Sequence, residues 1–190
     1  MRICVMISGV GSTMEALIKA VENKELNLDI AAVVSDKNAA GLKIAQEHSI
    51  PTIVVSQNQY PNREEWCEAL LQRVQATGAQ LVVLAGFMKI LTKNFVTSIP
   101  TLNTHPSLLP AFPGAHGIKD ALDYGVKISG ATAHWVDVGV DTGPILAQVP
   151  VKVKKHDTQD SLKARIQEEE KVQYVKVLRA IVSGKTPLPF

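Results

Sequence analysis

The sequence is short of cysteine, of excess charge and of long apolar runs, and each shortage removes a class of protein. Its two cysteines, Cys4 and Cys67, form neither a C-x-x-C pair nor a zinc-type spacing. Cys4 lies in an apolar run and Cys67 in a helical pattern, so both read as small buried hydrophobes. A chain of 190 residues can bury a core that needs no disulfide, which fits a reducing, cytoplasmic setting. Lys and Arg number 20 against 18 Asp and Glu, for a net charge of +2. That balance leaves no electrostatic footprint for nucleic acid or an anionic membrane, and neither is expected as a partner. No run reaches membrane-spanning length, and Met1 leads directly into strand-like sequence with no leader pattern. With 46% hydrophobic and 20% charged residues, what is there fits a globular chain and not a disordered one.

The pattern alternates strand and helix. Short apolar runs at Ile3–Ile7, Ile30–Val34, Thr52–Val55 and Leu81–Ala85 read as strands, and Thr101–Asn103 as a brief one. Helical patterns begin near Ser12 and Thr13, at Gly41–His48, after Asn62 and at Phe95–Ile99. Asn62 with Glu65 forms a capping box, ahead of an inward face of Trp66, Leu70, Leu71 and Val74. Lys127–Val136 and Pro144–Val153 are two later strands joined without a helix. A last helix follows Asp157–Asp160 and runs to about Val182, with Leu162, Ile166, Val172, Val175 and Leu178 facing inward. Continuously apolar strands alternating with helices predict an α/β fold, a mostly parallel sheet covered on both faces. An antiparallel pair finishes it near the C-terminus. No repeat or linker divides residues 1–190, so one domain is expected. In such sheets ligands bind beyond the carboxyl ends of the strands, which directs attention to Ser8–Thr13, Phe87–Leu91 and Asn103–Gly114.

The run Ser8-Gly9-Val10-Gly11-Ser12-Thr13 follows a strand and opens a helix. Its glycines allow close backbone approach, and the helix N-terminus offers unpaired N–H groups suited to phosphate. A dinucleotide fingerprint would need glycine where Met14 stands, so the expected ligand is mononucleotide-sized. Asp36 ends the second strand and reads equally as a ribose ligand or a turn residue. In Asn103-Thr104-His105-Pro106-Ser107-Leu108-Leu109-Pro110, extended backbone presents Asn103 and His105 on one side, and Pro106 and Pro110 stiffen the chain beyond them. An amide donor beside an imidazole suits a reaction that builds an oxyanion and moves a proton. Asp141 sits in the turn Val138–Pro144, where it either bonds its own turn or approaches His105 and raises its pKa. His105, His116 and His134 with Asp141 lack helical ligand spacing and a cysteine, so no metal is expected. His134 reads as a packed residue that steadies the site.

These segments resemble the phosphoribosylglycinamide formyltransferases, folate-dependent enzymes of purine synthesis. The matching stretches are Ile7–Ser12, Leu84–Leu91, Leu102–Pro110 and Gly130–Gln148, and the likeness runs nearly end to end. It implies a three-layer formyltransferase fold with a Rossmann-like N-terminal half. It also implies a cytoplasmic enzyme that moves the formyl group of 10-formyltetrahydrofolate to the amine of glycinamide ribonucleotide, without a metal. Gly11, Ser12 and Thr13 would hold the phosphate and Glu170 the ribose. Arg63, Met88, Lys89, Ile90, Leu91, Asn103, Val138, Gly139, Val140 and Asp141 would line the folate pocket. Asn103, His105 and Asp141 would be catalytic, with His105 the proton donor. Thr13 stands where the family usually has Asn, and Lys89 where it often has Arg. The rival reading is a 10-formyltetrahydrofolate hydrolase, which shares the three central residues but sends water to the formyl carbon. Other rivals are a tRNA formyltransferase, which needs a further RNA-binding domain, and a non-catalytic nucleotide-binding module. No heptad or apolar stripe announces an interface, so a homodimer stays open. The glycines Gly114 and Gly117 mark Ala111–Asp120 as a candidate flap.

Overall fold

A computed structural model describes all 190 residues, Met1–Phe190. Seven strands form one sheet: β1 (Arg2–Ile7), β2 (Asp29–Ser35), β3 (Thr52–Val54), β4 (Leu81–Leu84), β5 (Thr101–His105), β6 (Ile128–Trp135) and β7 (Ile145–Lys152). Six α-helices accompany them: α1 (Ser12–Glu22), α2 (Gly41–Glu47), α3 (Arg63–Gln75), α4 (Lys93–Ser98), α5 (Gly117–Tyr124) and α6 (Gln159–Val182). The strand order is β3-β2-β1-β4-β5-β6-β7. The first five strands are parallel, and β6 and β7 add on antiparallel, as the missing helix between them predicts.

The period of two in β1 divides the core. Ile3, Val5 and Ile7 point to the face covered by α1, α2 and α6. Cys4 and Met6 point to the face covered by α3 and α4, where Cys67 also packs. Both cysteines are buried and unpaired. A third, smaller cluster joins α6 to the antiparallel pair through Leu162, Ile166, Ala131 and Val151. Tyr174 ties α6 to the sheet more firmly: its buried hydroxyl lies 2.9 and 3.0 Å from the carbonyls of Leu84 and Leu102, between β4 and β5.

Helix starts follow the sequence closely, with revealing differences. Asn62 caps α3 by accepting from the Glu65 N–H at 2.8 Å, but the Glu65 carboxylate takes the Asn62 side-chain amide (2.9 Å) in place of its backbone. Thr158 caps α6 in a reciprocal box with Ser161. The inward stripe of α6 is Leu162, Ile166, Tyr174, Val177, Leu178 and Ile181; Val172, expected inward, is 52% exposed because it falls on the opposite side of the 3.6-residue period. Helix α5 lies in what reads as loop, and β5 continues two residues past Asn103 to include His105.

Candidate active site

The carboxyl ends of β1, β4 and β5 open into a cleft of about 860 Å³. Its walls include all three loops singled out in the sequence, together with the starts of α5 and α6. A cleft of that size is within the range used for small-molecule ligands.

The first wall is the turn into α1. Gly11 has φ +78°, and a Cβ there would stand 3.1 Å from the Gly41 Cα. Gly41 in turn leaves no room: a Cβ would meet Ile7 Cδ1 at 2.8 Å and Gly11 Cα at 3.0 Å. Only this pair of glycines lets α2 seat against the turn and hold it tight. The N–H groups of Ser12, Thr13 and Met14 precede the first intrahelical bond, from Glu15 N–H to the Gly11 carbonyl, and so are available to an anion. Thr13 is buried, and its hydroxyl donates to Glu170 Oε1 on α6 at 3.3 Å. Burial pushes the Glu170 carboxyl up to about 7, against the pull of the Thr13 bond and of the Lys171 and Lys163 charges.

The second wall is Phe87–Leu91. The Ser8 N–H donates to the Gly86 carbonyl (3.2 Å), and the Met88 N–H donates to Ser8 Oγ (2.9 Å), so the first two loops brace each other. Met88 and Ile90 are 67% and 55% exposed beside the cleft, with Val140 at 47% across it. Three exposed apolar side chains bordering one cleft suit a ligand with an apolar part. Lys89 lies 4.0 Å from the buried Asp36 carboxylate. Arg63, by contrast, is exposed at the start of α3 with its guanidinium on Glu64 (3.4 Å), away from the cleft wall. Val138 is 65% exposed and also outside that wall, while Asp137, Gly139, Val140 and Asp141 belong to it.

The floor is β5. Asn103 and His105 share one side of the strand, as alternation requires, and Asn103 is register partner to His134 on β6. His134 Nδ1 is 2.9 Å from the Trp135 carbonyl, which can only accept, so this nitrogen carries the proton. Nε2 is then the acceptor for the Asn103 amide at 3.2 Å. One Asn103 N–H is thereby committed and the other is left for a ligand. His105 is 4% exposed. Its Nδ1 lies 3.3 Å from Asp141 Oδ2, and its Nε2 is 2.8 Å from the Phe112 carbonyl. Both ring nitrogens face acceptors, so a ring carrying both protons satisfies both contacts.

Asp141 is presented by a turn that another residue organises. Asp137 Oδ1 accepts from the Gly139 N–H (3.0 Å) and the Thr142 hydroxyl (2.7 Å), the turn-bonding role that Asp141 could itself have played. Asp141, at φ +54°, instead turns its carboxylate inward. Oδ2 accepts from the Gly114 N–H at 2.7 Å, and Oδ1 lies 3.6 Å from His134 Nε2. Burial alone would raise the Asp141 carboxyl; the Gly114 N–H and the His105 imidazole outweigh it and hold the group below its usual range, while His134, whose Nε2 accepts from Asn103, faces it without donating. The segment after His105 is stiffened by more than proline. The Thr132 hydroxyl accepts from Leu109 N–H (3.0 Å) and donates to the Ser107 carbonyl (2.7 Å), and Gln148 donates to the Leu109 carbonyl (2.7 Å). His105 and Asp141 thus meet as an ionic pair, with the His134 ring beside them. No group of three His, Cys, Asp or Glu side chains has the arrangement of a metal site.

Asn103, His105 and Asp141 are legible in the sequence as one site, whereas Asp137 and Gln148 carry no signal there and Gly117 reads only as a glycine of the candidate flap. A Cβ on Gly117 would lie 3.0 Å from His105 Nε2 and 2.9 Å from the Phe112 carbonyl. The start of α5 therefore rests directly on the imidazole.

A mostly parallel sheet with a phosphate-type turn at one strand end, and an Asn–His–Asp cluster beside it, forms a cleft suited to acid–base and oxyanion chemistry on a small ligand. The chain belongs to the formyl transferase family, which it matches over residues 1–178. It is similar to the phosphoribosylglycinamide formyltransferase of Mycobacterium tuberculosis, 43% identical over 184 residues, covering 96% of this chain and 85% of that one. It also resembles the trifunctional purine biosynthetic protein adenosine-3 of Homo sapiens, 38% identical over 190 residues, covering 98% of this chain and 19% of the longer one. Among solved structures, glycinamide ribonucleotide transformylase 1 of Symbiobacterium toebii superposes with a TM-score of 0.96 at 38% identity, over 98% of this chain and 90% of that one.

Proposed function

We propose that this enzyme transfers a formyl group from 10-formyltetrahydrofolate to the amine of glycinamide ribonucleotide, in purine biosynthesis, with Asn103, His105 and Asp141 as its catalytic residues. The observation that carries the assignment of roles is the His105–Asp141 contact of 3.3 Å beside the half-committed Asn103 amide. The relatives that share the fold act, by their names, on the same ribonucleotide.

When bound, 10-formyltetrahydrofolate would supply the formyl carbon that the substrate amine attacks, its bond from that carbon to N10 breaking as the amine proton passes to N10 and tetrahydrofolate leaves. The remaining Asn103 N–H donates to the oxygen that gains charge, and protonated His105 donates to it as well. Removing one such donor costs roughly 3–4 kcal/mol of barrier. Asp141 holds the imidazole in orientation and balances its charge. His105 Nε2 exchanges the Phe112 carbonyl for the substrate oxygen, so productive binding displaces that contact. Gly11, Ser12 and Thr13 take the phosphate on backbone N–H groups, and Glu170 takes the ribose. The Met88–Leu91 backbone and the Gly139–Asp141 turn hold the folate ring, with Met88, Ile90 and Val140 as its apolar rim. Arg63 and Val138 would need to reach in from outside the wall to take part. Buried, unpaired Cys4 and Cys67 support a cytoplasmic setting, and the single seven-stranded sheet supports one folded unit over residues 1–190.

The test is turnover of 10-formyltetrahydrofolate with and without glycinamide ribonucleotide. Tetrahydrofolate released only with the ribonucleotide supports the transferase. Equal release without it makes the protein a hydrolase and leaves the α1 turn without a role.

A further inference from the structure

The turn at α1 offers backbone donors but no cation: Ser8, Gly9, Val10, Gly11, Ser12 and Thr13 are all uncharged. A phosphate monoester carries nearly two negative charges at neutral pH, more than the partial charge of about half a unit at a helix N-terminus balances. The buried Glu170 carboxyl beside Thr13 adds no positive charge. A compensating cation must come from another wall of the cleft.

That wall is α6. Gln159, Lys163, Gln167 and Glu170 all border the cleft, at spacings of four, four and three residues, and so share one helix face. Glu170 is the end of this stripe that touches the α1 turn, through Thr13. Four lysines border the cleft: Lys37, Lys89, Lys119 and Lys163. Lys89 is drawn toward Asp36, and Lys119 is paired with Asp123 on its own helix. Lys37 also borders the cleft, from the end of β2; exposed Lys163 differs in standing on the same helix face as Glu170, which touches the turn through Thr13. Seven residues of helix separate the two, about 10 Å of rise, and the flexible four-carbon lysine stem spans a good part of that distance.

We propose that Lys163 is the phosphate-neutralising residue of the substrate site, reaching from α6 over the α1 turn to select the phosphorylated amine over its unphosphorylated counterpart. The proposal rests on the transferase reading above. Lys163 acts as a specificity residue, contributing to binding and not to the chemical step.

The experiment compares wild type with Lys163→Gln and Lys163→Arg. Turnover is measured against glycinamide ribonucleotide, and inhibition against its dephosphorylated riboside. Lys163→Gln raises KM for the ribonucleotide roughly tenfold, the worth of one charge-assisted hydrogen bond. Its kcat stays within about twofold, the signature of lost uniform binding. Lys163→Arg recovers most of the KM, the riboside inhibits all three proteins equally, and added salt narrows the gap between wild type and Lys163→Gln. An unchanged KM in Lys163→Gln overturns the proposal, as does an equal weakening of riboside inhibition. Failure of the wild type to turn over the ribonucleotide at all overturns the transferase reading instead.

Discussion

The Asn103 amide nitrogen lies 3.2 Å from His134 Nε2, directly across the β5–β6 pair, and the far side of the same ring is anchored to the Trp135 carbonyl at 2.9 Å. The imidazole therefore fixes the rotation of the Asn103 amide and presents its second N–H to the cleft. His134→Ala should lower kcat by roughly 10- to 100-fold, the range for a misplaced catalytic group, with smaller changes in KM. Steady-state kinetics on the folded variant check this. A kcat equal to wild type would show that Asn103 holds its orientation unaided.

Gly117→Ala addresses the floor from the other side. The added methyl would meet the Phe112 carbonyl at 2.9 Å and His105 Nε2 at 3.0 Å, and a backbone carbonyl cannot simply rotate away. The imidazole or the Phe112 segment must shift. We expect kcat to fall by at least about tenfold with little loss of thermal stability, since α5 is short and peripheral. Parallel melting curves and turnover measurements separate the two effects.

Glu170 makes stability depend on pH. An unfolded glutamate titrates near 4.5, while burial moves the folded group to about 7. Between these values the folded protein binds more protons than the unfolded chain, so stability falls as pH rises. The contribution is complete below about pH 4.5 and lost through pH 7, amounting to about 3 kcal/mol at most. Glu170→Gln keeps the neutral shape and removes the titration. Denaturant melts of both proteins from pH 5 to 8 should diverge, with the variant increasingly the more stable. Parallel curves would mean that the folded carboxyl titrates like an exposed one.

Much of this architecture is legible in the residues. β1, β2 and β4 are buried on both faces, and their unbroken apolar runs announce it. Asn103 and His105 are legible as neighbours because extended backbone repeats every two residues. Helix α5 is not: it spans eight residues, buries only Gly117 and Ala121, and has no side-chain cap to mark its start. The site contacts of Asp137 and Gly117 are also invisible in the sequence. Asp137 reads like any turn acid, and only the folded chain shows that it occupies the turn donors while Asp141 turns to His105. Gly117 matters through His105, twelve residues away, and no local pattern encodes that approach.

Ser129 offers a test away from the site. Its hydroxyl is buried in β6 at 2% exposure without a hydrogen-bond partner. Ser129→Ala removes a desolvated group at little cost in packing and should stabilise the fold by about 1 kcal/mol. A rise in melting temperature with unchanged kinetics is the expected result. Destabilisation would show that the hydroxyl has a partner after all.

The roles proposed for Asn103 and His105 lie at the reacting centre and not in substrate binding. The most direct measurement is single-turnover formyl transfer by wild type, Asn103→Ala and His105→Asn, with the affinity of each for both substrates determined separately. Transfer rates about 100-fold or more below wild type are expected in each variant, with affinity for the ribonucleotide nearly unchanged. Transfer at the wild-type rate by His105→Asn would contradict these roles and move the chemistry away from the β5 floor.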